Sequence, residues 1–316
     1  MKIFLIILIS LLAIFILFVA IPTLIIARYV YNKQLVRNNK EKWARVCSCP
    51  TNEEQVIMWD TSMKFKDDFK DYATDVSINN EGFNLVGQYY DFGGNNAVIF
   101  ISGRAECLYY ALYYAKPYQE NKINVLVIDS RSHGNSDGKY NTVGLLEEKD
   151  IIAWAKFLHD EKNNNKILLH GICIGSATSL YAITDKDAPD YFAGMIADGM
   201  YKSFYDTFKH HMKDLKKPTF PTLQLMRRKL RKISGKDIVN YSPYTEITKL
   251  EKPLLMLHSE KDIFSLPEQA KELFERCKTN DKQLIFFPKG AHSHVRINNT
   301  IKYDEKVTKF IKKVLD

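Results

Sequence analysis

Cysteine is sparse in this 316-residue chain: Cys47, Cys49, Cys107, Cys173 and Cys277 are odd in number and irregularly spaced. Disulfide scaffolds use even, patterned sets, so no disulfide framework is expected and a reducing compartment fits better. Internal repeats and low-complexity tracts are missing as well. With 46% hydrophobic and 26% charged residues, the composition is ordinary and globular, which excludes a disordered or collagen-like chain. Acidic residues are in short supply, 37 against 45 Lys and Arg, for a net charge of +8. The basic excess is concentrated: Arg28, Lys33, Arg37, Lys40, Lys42 and Arg45 face only Glu41 between positions 28 and 45. A nucleic-acid-binding body would spread its basic residues over a groove-facing surface, so this collar argues against nucleic acid.

From Ile3 to Ala27 there is no charge at all. Twenty-five helical residues reach roughly 37 Å, enough for a bilayer core of about 30 Å. The run is too long for the apolar region of a secretory signal, and no convincing cleavage site follows it. Residues 1–27 therefore read as a retained single-pass anchor in the cell membrane, with Pro22 as a tolerated kink. The positive-inside rule puts the basic collar, and with it the body, in the cytoplasm; the opposite topology is common for short N-terminal anchors. Contact with membrane lipid follows from the anchor.

Residues 28–71 are polar and basic, with Trp43, Trp59 and several Phe, and read as a helical juxtamembrane stalk that packs on the body. Residues 72–316 then alternate strand and helix. Val76–Ile78 and Phe83–Tyr90 flank Asn79-Asn80-Glu81-Gly82 as a hairpin. Apolar strands follow at Ala97–Ser102, Ile123–Asp129, Lys166–His170, Phe192–Ala197, Pro253–His258 and Gln283–Phe287. Helices are expected around Cys107–Ala115 and over residues 143–161, Ile174–Thr184, 267–277 and 302–315. This order predicts an α/β fold: a mostly parallel sheet with helices on both faces and an antiparallel N-terminal hairpin. The helical stretch at about 200–243 interrupts the alternation and is the expected lid.

The most informative stretch is His170-Gly171-Ile172-Cys173-Ile174-Gly175-Ser176, which runs from a buried strand straight into a helix. A turn this sharp strains its central residue, and Gly171 and Gly175 let neighbouring elements approach closely. It raises Cys173 above the C-terminal edge of the sheet, at a helix N-terminus that favours a thiolate or an oxyanion.

This elbow, with Ile101-Ser-Gly-Arg104, Asp129-Ser-Arg-Ser-His-Gly-Asn-Ser136, His258-Ser-Glu-Lys-Asp262 and Gly290-Ala-His-Ser293, resembles the α/β-hydrolase superfamily. The likeness is nearest to bacterial membrane-tethered serine-aminopeptidase-like hydrolases and covers about residues 72–316. The resemblance implies the order nucleophile, acid, histidine, matched by Cys173, Asp262 and His292, with backbone N–H groups of Arg104 and Ile174 as the oxyanion hole. Two positions depart from the pattern. Cysteine replaces the usual serine, as in dienelactone hydrolase, and Ser102-Gly103 stands where the family has His-Gly.

The expected activity is cleavage of an ester, thioester or related acyl bond of a small molecule through an acyl-enzyme, with no metal or organic cofactor. A peptidase is less favoured, because nothing supplies a site for a peptide amino terminus. The alternative is a silent member of the fold that binds a ligand or partner at the membrane. Other readings remain open for single residues. Cys173 could be a buried apolar residue, His294 could serve in place of His292, and Asp198 could be mistaken for the acid. His210-His211 and His292-x-His294 lack companion ligands at metal-site spacing. Tyr109, Tyr110, Tyr113 and Tyr114 read as core, with a subset lining an acyl pocket beside Phe204, Tyr205 and Phe208. The lysines and arginines of the insertion read as a solvated face.

Overall fold

The computed structural model describes residues 2–315. Its N-terminus is one continuous helix: α1 (Lys2–Phe15), a π-helical turn (Ile16–Ala20) and α2 (Ile21–Leu35). After an irregular stretch come α3 (Glu53–Asp68), β1 (Ala73–Asn80), β2 (Phe83–Tyr90) and β3 (Asn96–Ile101). Next are α4 (Lys116–Glu120), β4 (Asn124–Ile128), α5 (Glu147–Asp160), β5 (Lys166–Ile172), α6 (Ile174–Thr184) and β6 (Phe192–Asp198). The insertion holds α7 (Phe204–Asp214), α8 (Thr222–Ser234) and the short α9 (Pro243–Glu246). The chain closes with β7 (Leu254–Ser259), α10 (Pro267–Arg276), β8 (Lys282–Phe287), α11 (Val295–Asn298) and α12 (Thr300–Leu315).

The eight strands form one sheet in the order β1-β2-β4-β3-β5-β6-β7-β8. The β1–β2 and β2–β4 pairs are antiparallel and the rest are parallel. This is the mixed-edged α/β sheet expected from the alternation. The apolar strands are continuous runs because both faces are covered. The period of two sends Val98, Phe100, Val125, Val127 and Leu168 to one face, under α12 and the tyrosine-rich segment. It sends Ala97, Ile99, Leu126, Ile167 and Leu169 to the other, under α5, α6 and α10. On α5, Ile151, Trp154, Ala155 and Leu158 make the buried stripe at helical spacing.

Two local differences from the sequence reading have physical reasons. The helix expected around Cys107–Ala115 is a 3-10 helix, Leu108–Tyr114. Its tyrosines form part of the core: Tyr110, Tyr113 and Tyr114 are all buried, and α3 covers them through Met58 and Phe65. The helix after β4 begins at Glu147 rather than near 143, because Glu147 itself folds back onto the loop. Its carboxylate accepts from Thr142 N at 2.8 Å and Gly144 N at 3.0 Å.

The sheet places its C-terminal edge around the start of α6, and two close approaches fix that helix. A Cβ on Gly175 would lie 1.9 Å from the Ile101 carbonyl oxygen of β3, and one on Gly171 would lie 2.3 Å from the Gly175 carbonyl oxygen. Neither contact can be relieved by rotating a side chain, since the opposing atoms are backbone. Gly175→Ala is therefore expected to cost at least about 1–3 kcal/mol, the range of an overpacked core. Thermal unfolding of the detergent-solubilised chain checks this. An unchanged midpoint would mean that α6 does not sit against β3 as described.

Candidate active site

Cys173 lies between β5 and α6 with φ 55° and ψ −113°, a left-handed conformation that costs a non-glycine residue of order 1–3 kcal/mol. Hydrogen bonds hold the chain there. Cys173 N donates to the Asp198 carbonyl at 2.8 Å, and Ser176 Oγ bridges the carbonyls of Gly171 (2.7 Å) and Asp198 (3.1 Å). The half-buried thiol consequently faces outward at the N-terminus of α6. Ile174 is the first residue of that helix, so its N–H has no intrahelical partner and is available to an anion.

Asp262 follows β7 and His292 follows β8. The structure brings them together: His292 Nδ1 and Asp262 Oδ2 are 2.6 Å apart. The other carboxylate oxygen, Oδ1, accepts from Phe264 N and Ser265 N, each at 2.8 Å. Burial pushes the Asp262 carboxyl up, but the hydrogen bond and charge of His292, with smaller help from His258, hold it below the usual carboxylate range. For His292, burial disfavours the cation. The neighbouring Cys173 and the bond to Asp262 outweigh that cost and hold the imidazole well above its ordinary range. His292 and Cys173 line the same cavity of about 320 Å³.

Arg104 and Gly103 lie in the loop after β3, also on that cavity. Gly103 N donates to Glu106 Oε2 at 2.9 Å, which folds the loop back on itself. Burial pushes the Glu106 carboxyl up. The histidine missing from Ser102-Gly103 has a counterpart in space. His133 Nε2 lies 2.7 Å from the Arg104 carbonyl oxygen, and Nδ1 lies 2.9 Å from that of Arg131. Burial lowers its pKa, and a neutral imidazole has one N–H to give. The ring is clamped by stacking on Trp43, centroids 4.6 Å apart. His133 was visible in Asp129-Ser-Arg-Ser-His-Gly, but nothing local to that motif points to Arg104.

The remaining candidates fall elsewhere. His294 is turned away from Cys173 and pairs with Glu54 at 2.6 Å and Gln55 at 3.0 Å. Asp198 is fully buried; Oδ2 accepts from Tyr303 Oη at 2.8 Å and Oδ1 has no partner. Burial drives its carboxyl up to about 7 against the pull of Tyr303 and His292. Tyr303 also touches His170, which in turn meets Tyr118, so Asp198 ends a buried polar chain beneath the site. Phe204 and Phe208 line the cavity as expected, but Tyr109, Tyr110, Tyr113 and Tyr114 do not, and Tyr205 packs behind it. Gln34, Ser48 and Gln55, all N-terminal to the sheet, line it too. No sequence signal marked those three. Among the described residues, no three His, Cys, Asp or Glu side chains converge as metal ligands would.

A strained elbow cysteine with an aspartate after β7 and a histidine after β8 is a distinctive arrangement, and a model of the prolyl oligopeptidase family matches residues 120–316. The chain belongs to the prolyl oligopeptidase family. The matched portion of this prolyl oligopeptidase family member runs from just before β4 to the end and includes the elbow, Asp262 and His292. It is 27% identical over 225 residues to the uncharacterized protein YqkD of Bacillus subtilis, covering 70% of this chain and 72% of YqkD. Over 183 residues it is 24% identical to the uncharacterized membrane protein YNL320W of Saccharomyces cerevisiae, covering 58% and 59%. Its fold is similar to the Pyrococcus furiosus esterase Pf2001, with TM-score 0.64 and 23% identity over 79% of this chain and 94% of that one. A monoacylglycerol lipase from Paleococcus ferrophilus matches with TM-score 0.55 and 18% identity, covering 72% and 98%. The fold is that of the α/β-hydrolases.

Two outcomes follow from these environments. Because these surroundings favour the His292 cation beside Cys173, alkylation of Cys173 by iodoacetamide at pH 7 should fall at least about tenfold in His292→Gln. Equal rates, followed by mass spectrometry of the modified peptide, would mean that no such pair forms. Asp198 binds its proton more tightly folded than unfolded, so its contribution to stability is complete below about pH 4 and is lost as pH rises through about 7. The melting midpoint of Asp198→Asn should therefore gain on the wild type between about pH 5 and pH 8. A pH-independent difference would contradict the burial argument.

Proposed function

We propose that this protein is a membrane-anchored hydrolase that cleaves an ester, thioester or related acyl bond through Cys173, His292 and Asp262. The observation that carries the reading is the 2.6 Å Asp262–His292 pair facing the same cavity as a left-handed Cys173. The organisation that accompanies it is an anchor over residues 1–27, a stalk over 28–71 and a hydrolase domain over 72–316. The uncharged helical run supports the anchor, being long and apolar enough to cross a bilayer. The cavity walls are mainly apolar around Cys173, with Ile174, Phe204, Phe208 and Phe264, which suits an acyl chain better than a charged peptide terminus.

The chemistry follows from the charges. Cys173 Sγ attacks the acyl carbon, and the carbonyl electrons move onto oxygen, which takes hydrogen bonds from Arg104 N–H and Ile174 N–H. The tetrahedral adduct collapses, breaking the bond to the leaving group, and the His292 imidazolium gives that group its proton. His292, now neutral, takes a proton from water as it attacks the thioester. Collapse expels the Cys173 thiolate, releases the acid and restores the imidazolium. Asp262 keeps the ring in register and stabilises its charged form.

Full-length protein in detergent micelles, given short and medium-chain p-nitrophenyl esters and acyl thioesters, tests the reading. Turnover should fall roughly a thousandfold or more in Cys173→Ala, and intact-mass spectrometry should find an acyl adduct on the wild type only. Absence of both turnover and adduct would replace the hydrolase with a silent binding member of the fold. Activity gained only in Cys173→Ser would mean that the cysteine has taken the scaffold out of catalysis.

A further inference from the structure

The tip of the insertion, between α7 and α8, has an unusual surface. Phe220 is 70% exposed and Leu215 50% exposed, and Lys213, Lys216 and Lys217 surround them, all exposed. From Lys213 to Lys232 there are eight basic residues against Asp214 alone. Scattered apolar residues on a surface mean little by themselves. Their position relative to the anchor is what gives them significance.

Helix α8 packs on α2, with Leu223, Met226 and Leu230 sharing an apolar cluster with Tyr31 and Leu35. Lys229 lies 5.8 Å over the Tyr31 ring. Both helices end on the same part of the body. Leu35 O accepts from Asn141 N at 3.0 Å, and Val36 bridges Tyr140. Just past α8, Lys236 pairs with Glu148, and Tyr241 Oη donates to the same carboxylate at 2.7 Å. The two helices therefore run in the same direction, with their C-terminal ends on the body. Counting back from Ser234 to Phe220 covers about 20 Å at 1.5 Å per residue, and the same distance from Leu35 reaches Ile21. Phe220 is thus level with the last two turns of the uncharged run, which stops at Ala27. An aromatic tip at that depth, ringed by lysines whose stems can lie along apolar surface, matches the chemistry of a bilayer interface bearing anionic headgroups.

The cavity shares this geometry. Phe204, Thr207, Phe208 and His211 of α7 and Gln34 of α2 all line the space that reaches Cys173. We infer that the Leu215–Phe220 tip docks into an anionic lipid surface beside the anchor and that the substrate is a membrane-resident acyl lipid. Its chain would be drawn from the bilayer along α7 to Cys173. The substrate class rests on the hydrolase reading above; the docking does not.

The test uses full-length protein in phosphatidylcholine vesicles with about 30 mol% phosphatidylglycerol. In Phe220→Trp, the emission added over wild type should fall at least about twofold when the lipid acyl chains are dibrominated, because the new indole lies at interfacial depth. Equal emission in brominated and plain vesicles overturns the docking. Separately, Phe220→Ser and the double variant Lys216→Glu, Lys217→Glu should lower hydrolysis of diacylglycerol held in the vesicles about tenfold. Both should leave turnover of p-nitrophenyl butyrate added from water unchanged, which also reports that they fold. Unchanged rates on both substrates overturn entry from the membrane. If the wild type hydrolyses neither, the hydrolase reading and the substrate class fail together, while the quenching still decides the docking.

Discussion

The contact between α6 and β3 is the constraint on which the rest of the site depends. Gly175 lets the first turn of α6 ride directly over the Ile101 carbonyl, and Gly171 lets β5 turn into it without a gap. With that approach closed, the chain cannot leave β5 gradually, and the whole reversal falls on Cys173, whose φ of 55° is the result. The same contact sets the oxyanion loop, because Ile101 is the last residue of β3 and Gly103 and Arg104 follow at once. The thiol and two candidate oxyanion donors are therefore positioned by one packing interaction between backbone atoms, which no side-chain rearrangement can loosen. The energy that holds the strained residue comes from elsewhere, from Ser176 and the Asp198 carbonyl on either side of the turn.

Two carboxylates lie close to His292, and their environments drive them apart. Asp262 has the imidazole and two backbone N–H groups on its oxygens, so ionisation is favoured despite burial. Asp198 has a single tyrosine hydroxyl and an orphaned oxygen, so burial dominates and its carboxyl is pushed up to about 7. Divergent environments for neighbouring acids are a general route to separate roles, and here they push the two carboxyls in opposite directions.

Much of this architecture was legible from the sequence because it depends on order and period. Continuous apolar strands alternating with amphipathic helices identify a covered parallel sheet, and the elbow lies where one strand and one helix leave no room for a loop. Asp262 and His292 stand at strand ends, where such a sheet gathers its loops. The illegible parts are those made by residues far apart in sequence. His133 reaches Arg104 across 29 positions, clamped by Trp43, which lies 90 positions before it. Gln34, Ser48 and Gln55 enter the cavity through where on the body the stalk packs, which its composition does not name. Arg45 is part of that return: its guanidinium bonds at 2.8 Å to the buried Asp129, whose other oxygen takes Leu108 N at 2.9 Å. A basic collar counted from composition thus includes a residue whose charge is paired with the body.

Cysteine at the elbow changes what the histidine must do. A serine must lose its proton during attack, so its histidine has to start neutral. In the proposed cycle His292 begins as the cation, which the neighbouring Cys173 and the bond to Asp262 favour, and Cys173 begins as the thiolate. As proposed, the first step needs no base, and the imidazolium is already the acid that the leaving group requires. Giving up that proton generates the neutral imidazole that hydrolysis of the thioester requires, and expulsion of the thiolate restores the pair. The proposed cycle closes without a second acid or base, which is consistent with His294 being bonded to Glu54 and Gln55 and taking no place beside Cys173.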